Sequence, residues 1–140
     1  MVARILPALD EANRHFWTCG ANGVLHLLHC ESCDNWIHPP APRCRRCLSD
    51  RVAPLPVSGD GTVYSFSVNH HRWAPDHNGD LYVVAIVELP EQPGLRLTTN
   101  IVGVAPDQVQ IGMSVVVDFE HEHEDGDDAD LWIPVFRPAS

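Results

Sequence analysis

Hydrophobic and polar positions along the chain keep one rhythm up to about residue 52 and another after it. In the first part, residues 8–18 place Leu9, Ala12 and Phe16 at helical spacing, with Asp10 and Glu11 in the first turn and Gly20 and Gly23 past the end. A short helix is predicted there. Val24-Leu-His-Leu-Leu-His29 follows as a short strand. Residues 19–51 otherwise contain few large apolar side chains. Val52 to Val57, with Pro54 and Pro56, has the stiffness of a linker, which divides the chain into 1–51 and 52–140.

Beyond that boundary the pattern is all β. Gly61–Asn69 alternates, with Val63, Ser65 and Ser67 on one face and Tyr64, Phe66 and Val68 on the other. Leu81–Leu89 is apolar enough to be a central strand. Leu95–Val102 follows the turn Glu91-Gln-Pro-Gly94, and Ser114–Glu120 follows Gly112. Leu131–Phe136 closes the series, and its Pro134 suits an edge strand. Five strands in about eighty residues predict a small barrel of the OB type. A five-stranded half-sandwich satisfies the same count.

Four cysteines add chemistry. Cys30-Glu-Ser-Cys33 and Cys44-Arg-Arg-Cys47 each bring two thiolates out of one tight turn, and together they supply the four sulfurs of a closed tetrahedral zinc site. Two disulfides would need an oxidising compartment, and a redox role for one pair would not account for the other. Four thiolates leave no position for water or substrate, so the zinc is expected to be structural, holding together a segment too poor in apolar residues to fold unaided. His29 and His38 lie close by but are expected as neighbours of the site rather than ligands. Cys19 reads as a small apolar residue near the helix end.

Charge narrows the function classes. The net charge is −10, with no lysine among the basic residues. Residues 1–51 hold six Arg against five Asp/Glu; residues 52–140 hold three against fourteen, a local net of −11. Such a barrel repels a phosphate backbone, so nucleic-acid binding is not expected, although Arg43, Arg45, Arg46 and Arg51 cluster around the second cysteine pair. The tract Glu120–Asp130 reads as a solvated loop between strands. There is no run of eighteen apolar residues to span a membrane and no signal-peptide pattern at the N-terminus, so the expected compartment is the cytoplasm. The loop from His70 to Gly79, carrying His70, His71, Arg72, Trp73 and His77, borders the usual ligand face of an OB barrel; an exposed polar loop is the plainer reading, and no catalytic set can be assembled from it. Phe16, Trp17, Trp36, Arg45 and Arg46 have the make-up of a partner-docking surface, apolar anchors with polar groups around them. Packing of Phe16 and Trp17 against the domain behind them is the alternative.

The order of these features matters more than any one of them. Phe16-Trp17, Cys30/Cys33, Pro39-Pro40, Cys44/Cys47, Gly59-Asp-Gly61-Thr-Val63-Tyr-Ser65 and Ile111-Gly-Met113-Ser-Val115 occur in a sequence that resembles the acyl-CoA-associated zinc-ribbon/OB-fold family, long classed as a domain of unknown function. The resemblance covers nearly the whole chain. It implies an N-terminal helix and rubredoxin-like zinc ribbon followed by an OB barrel. It also implies an accessory role beside a thiolase-fold or lipid-transfer-protein-like acyl-CoA enzyme that supplies the catalytic residues. The narrowest implied partner is a retro-aldol lyase of steroid side-chain degradation, in a heterotetramer that reaches a CoA thioester through the complex; a thiolase is the other. A nucleic-acid-binding ribbon/OB module, a stand-alone acyl-CoA-binding protein and an autonomous enzyme using the histidine-rich loop are the competing classes. One departure stands out. Family members often carry Gly after each cysteine pair, where the turn can require positive φ; here those positions are Asp34 and Leu48. Asp tolerates that conformation and Leu does so poorly, so the second turn is expected to be distorted.

Overall fold

The structure of the protein, a computed structural model, describes residues 7–69, 81–123 and 130–139. The N-terminal helix α1 is only Arg14–Thr18, continued by a 3-10 turn over Cys19–Asn22. It is shorter than expected, and a reciprocal pair precedes it: the side-chain oxygens of Asp10 and Asn13 each accept the other's backbone N–H at 2.8 Å. The Arg14 N–H donates to the Asp10 carbonyl at 3.0 Å, so the pair caps the turn that leads into α1. Beyond the turn Gly23 takes φ 73, closing the helical segment.

A three-stranded antiparallel sheet follows, in the order β2 (Trp36–Ile37), β1 (His26–Cys30), β3 (Val52–Pro56). The stretch expected as a linker is therefore a strand, in register with β1 from His26↔Pro56 to Cys30↔Val52. Pro54 and Pro56 are two residues apart, so both nitrogens face the same side. On an outer strand that side is solvent, where no N–H is needed. The alternation of β1 divides its side chains between two cores. Leu28 and Cys30 face a small cluster with Ile37 and Cys44, whereas Leu25 and Leu27 point into the main core.

The remaining strands are β4 (Asp60–Asn69), β5 (Tyr82–Glu88), β6 (Arg96–Ile101), β7 (Ser114–His123) and β8 (Asp130–Pro138). They close into a barrel in the order β4-β5-β6-β8-β7. All neighbours are antiparallel except β6 and β8, which run parallel and meet at Ile101↔Phe136. This is the five-stranded OB barrel, and closure removes the half-sandwich alternative. A bulge between Val63 and Ser65 changes the expected faces of β4. Val63, Phe66 and Val68 turn toward the core, while Tyr64 is pushed outward beneath the Arg96 guanidinium, 3.8 Å from its ring centre. Pro134 is not on an edge strand: β8 lies between β6 and β7. It is tolerated because β6 does not ladder with β8 at that point; instead the buried Thr99 hydroxyl donates to the Pro134 carbonyl at 3.0 Å. β7 and β8 reach His123↔Asp130, so part of the acidic tract expected as loop is strand; residues 124–129 lie outside the described residues.

Helix, ribbon and barrel share the main core, which joins Phe16, Cys19, Leu25, Leu27 and Val57 to Val63, Val83, Val87, Leu97, Val115 and Phe136. Gly20 permits the close approach of the helical segment to β7 and β8: a Cβ there would stand 2.5 Å from both Phe119 Cδ1 and Trp132 Cβ. A second tie comes from the turn between β5 and β6. The Gln92 side chain accepts the Trp36 N–H at 3.0 Å and donates to the Trp36 carbonyl at 3.3 Å, acting as a peptide group on the open edge of β2. Its neighbour Glu91 accepts the Ser58 N–H at 2.9 Å, just past the end of β3.

Candidate metal centre and its surroundings

The two cysteine pairs occupy two equivalent turns. After the first, the Asp34 N–H donates to the Cys30 carbonyl at 2.9 Å and the Cys30 N–H to the Asn35 carbonyl at 2.8 Å. After the second, Leu48 donates to Cys44 and Cys44 to Ser49, both at 2.9 Å. The residue after each pair has positive φ, 65° at Asp34 and 64° at Leu48. The expected distortion of the second turn is thus absent. Hydrogen bonds to the cysteine turn hold Leu48 in the left-handed region, at a strain cost of ~1–2 kcal/mol for a residue with a Cβ. The turns are laced together by Ser32 Oγ and Ser49 Oγ, 2.9 Å apart.

The four sulfurs lie within 4.8 Å of one another. Cys30 and Cys47 are 3.5 Å apart, Cys33 and Cys44 3.6 Å. A tetrahedral ion with bonds of about 2.3 Å needs sulfurs about 3.8 Å apart, so the arrangement fits zinc with little adjustment. A disulfide needs roughly 2.05 Å, and all five cysteines are free. Cys30 and Cys44 are buried, Cys33 is half-buried and Cys47 exposed.

The surroundings favour thiolates. At Cys44, burial works to raise the thiol pKa, but the N–H groups of Cys47 and Arg46, with the side chains of Cys33 and Asn35, overcome it and bring it down to about 6. The Arg46 N–H reaches the Cys44 sulfur at 3.3 Å. Cys30 is also lowered against its burial, by the N–H groups of Cys33 and Ser32 and the Cys47 side chain. Cys33 goes the other way: the Asn35 N–H lowers it, but burial and its three sulfur neighbours push it up to about 12. Charge crowding of this kind is what a dication relieves. Neither nearby histidine joins the cluster. His29 stands 3.6 Å from the Asp34 carboxylate with its ring against Trp36, and His38 packs beside Phe16, held down to about 4 by burial and the neighbouring His15.

The docking candidates separate. Phe16 is 6% exposed and belongs to the main core. Trp17 stands edge-on to it, with centroids 4.8 Å apart, and is half-buried, as is Trp36. Arg45 and Arg46 are exposed. Cys19 is buried, its thiol 3.5 Å from the Phe16 carbonyl and raised by desolvation, as befits a small core residue. His70, His71, Arg72, Trp73 and His77 lie outside the described residues. Gln92, which joins barrel to ribbon, went unnoticed in the sequence; it sits in a turn whose composition signals only a turn.

A family model described as the rubredoxin-like zinc ribbon domain of ChsH2 matches residues 18–53, and one described as the C-terminal OB-fold domain of ChsH2 matches residues 55–120. A DUF35 domain-containing scaffold protein of Methanocaldococcus jannaschii is 38% identical over 104 residues, covering 72% of this chain and 71% of that protein. The chain belongs to the DUF35 family. A probable enoyl-CoA hydratase alpha subunit of Thermomonospora curvata is 41% identical over 133 residues, 95% of this chain. The chain spans only 39% of that longer protein. Among solved structures, a chain of an Ltp2-ChsH2(DUF35) aldolase superposes with a TM-score of 0.79 at 40% identity, covering 96% of this chain and 100% of that one. Among the described residues no helix is long and apolar enough to cross a membrane.

Proposed function

We propose that this chain is a non-catalytic subunit of a heteromeric CoA-thioester enzyme, seated on a thiolase-fold or lipid-transfer-protein-like subunit that carries the reaction. One observation supports this most: the match over the full length of one chain of an Ltp2-ChsH2(DUF35) aldolase, at 40% identity. The chemistry of the site agrees with it. Four thiolates around zinc cross-link the ribbon and leave no open coordination position. The narrowest form of the reading is a retro-aldol lyase of steroid side-chain degradation, built as a partner dimer flanked by two copies of this chain. In it Trp17, Trp36, Arg45 and Arg46 face the partner, and Phe16 anchors the helix that presents Trp17.

Co-expression with an Ltp2-type subunit tests the proposal. A complex that survives gel filtration, with the partner more soluble and more active in it than alone, is the expected result. A partner equally soluble and active alone, and never co-purifying with this chain, would refute it.

A further inference from the structure

We propose that Leu48, with Arg45 and Arg46, forms a docking knob at the tip of the second cysteine turn, and that it seats in an apolar hollow with an acidic rim on the partner enzyme subunit. The inference rests on the accessory-subunit reading and names a contact within it.

Leu48 is 69% exposed and belongs to neither core. A single exposed leucine ordinarily needs no explanation. This one occupies φ 64, where a leucine is strained and a glycine is not. The equivalent position in the first turn carries Asp34, a residue that tolerates the conformation. A large apolar side chain thus projects into solvent from the place where the backbone least favours one, and strain of that kind collects at functional sites.

The side chain is also presented from a fixed base. The Leu48 N–H donates to the Cys44 carbonyl at 2.9 Å, and its own carbonyl accepts from Arg43 Nη1 at 3.1 Å. A backbone held in place by its hydrogen bonds and by the metal ligands on the same turn loses little freedom on binding. Arg45 and Arg46 lie three and two residues before it on the same turn, both exposed, with no carboxylate within 4.0 Å among the described residues. By contrast Arg51 is paired to Glu31, Arg96 to Glu88 and Arg137 to Asp118. Two guanidiniums with no carboxylate partner among the described residues, on the same turn as an apolar tip, are complementary to an apolar hollow with an acidic rim. A second copy of this chain is a poorer occupant. Its net charge of −10 opposes self-association, and a tip-to-barrel contact between copies would be heterologous and open-ended.

The test uses the full chain, zinc-loaded and checked by elemental analysis, with purified Ltp2 as the probe. Four forms are compared by calorimetry and thermal melting: wild type, Leu48→Gly, Leu48→Met and the double change Arg45→Glu/Arg46→Glu. Leu48→Gly is expected to melt no lower than wild type yet bind about tenfold more weakly. A residue with only a structural role would not move stability and affinity in opposite directions. Leu48→Met should retain binding. The arginine double variant should bind at least about tenfold more weakly and with a shallower salt dependence. Unchanged affinity in both Leu48→Gly and the double variant, with zinc retained, would overturn the proposal. Failure of the wild type itself to bind would instead overturn the accessory-subunit reading, and this contact with it. Self-association lost in Leu48→Gly would overturn the choice of partner, and salt-sensitive RNA binding lost in the double variant would do the same.

Discussion

Around the four sulfurs the buried residues are Leu28, Ile37, Cys30 and Cys44, and two of these are ligands; the core that the barrel shares with the helical segment and β1 has sixteen buried residues among those described, from Phe16 to Phe136. The two regions are held by different forces. In the barrel, apolar burial at ~25 cal/mol per Å² does the work and is spread over many residues. In the ribbon, too little apolar area is available, and the fold energy is concentrated in the bonds to one ion. The ribbon's other support is borrowed: Leu25, just before β1, and Leu27, on its back, are buried in the core shared with the barrel and not in the ribbon's own cluster. A metal-dependent module therefore stands on a metal-independent one, with β1 as the shared wall.

Removing the ion should break this comparison most severely. Apparent zinc-binding energies in small modules are about 10–16 kcal/mol near neutral pH, far more than the ribbon's own core can replace. Cys44→Ser, or a strong chelator, should leave the backbone amides of β1, β2 and the cysteine turns open to exchange, while the barrel strands keep their protection. Hydrogen exchange read by mass spectrometry checks this, with metal content measured alongside. Ribbon amides that stay protected in a metal-free chain would show that the barrel alone supports the ribbon.

The converse cut is Phe136→Ala. Phe136 is fully buried in β8, at the point where β6 and β8 close the barrel. A large-to-small change there should cost about 3–5 kcal/mol, lowering the melting temperature of the barrel. Zinc content should be unchanged below that temperature, because no ligand contacts this part of the core. Loss of zinc from the folded variant would show that the two regions are less separate than their cores imply.

How much of this contrast the chain disclosed in advance differs between the two regions. The cysteine spacing carried the metal centre fully, because ligand geometry is local: two residues between thiolates dictate one kind of turn. The positive φ at Leu48 was legible for the same reason, although the turn accommodates it with no change in its hydrogen bonds. The barrel strands were legible from alternation, but the tertiary adjustments within them were not. Nothing in Val63-Tyr-Ser65 marks a bulge, since its cause is closure of the barrel. Pro54 and Pro56 argued for a linker because β1, which makes Val52–Pro56 a strand, lies more than twenty residues earlier. Asp10 and Glu11 suited a first helical turn by composition, whereas the partner that Asp10 bonds reciprocally, Asn13, carried no signal of its own.

The finest test concerns the coupling between the two regions. Gln92 lies in a barrel turn, yet its amide completes the edge of β2 with two hydrogen bonds to Trp36, while the adjacent Glu91 holds Ser58 at the exit of β3. One turn of the barrel thus grips the ribbon sheet near both of its outer strands. Gln92→Ala removes two bonds at about 0.5–1.5 kcal/mol each, and leaves the Trp36 peptide to find water. The expected loss is about 1–2 kcal/mol, expressed as faster exchange at β2, with the barrel's own melting temperature little changed. If exchange at the Trp36 amide were unaltered, the grip would reside in the apolar contacts of Leu25 and Leu27 instead. Gln92 would then be a surface side chain that happens to lie in register with a strand edge.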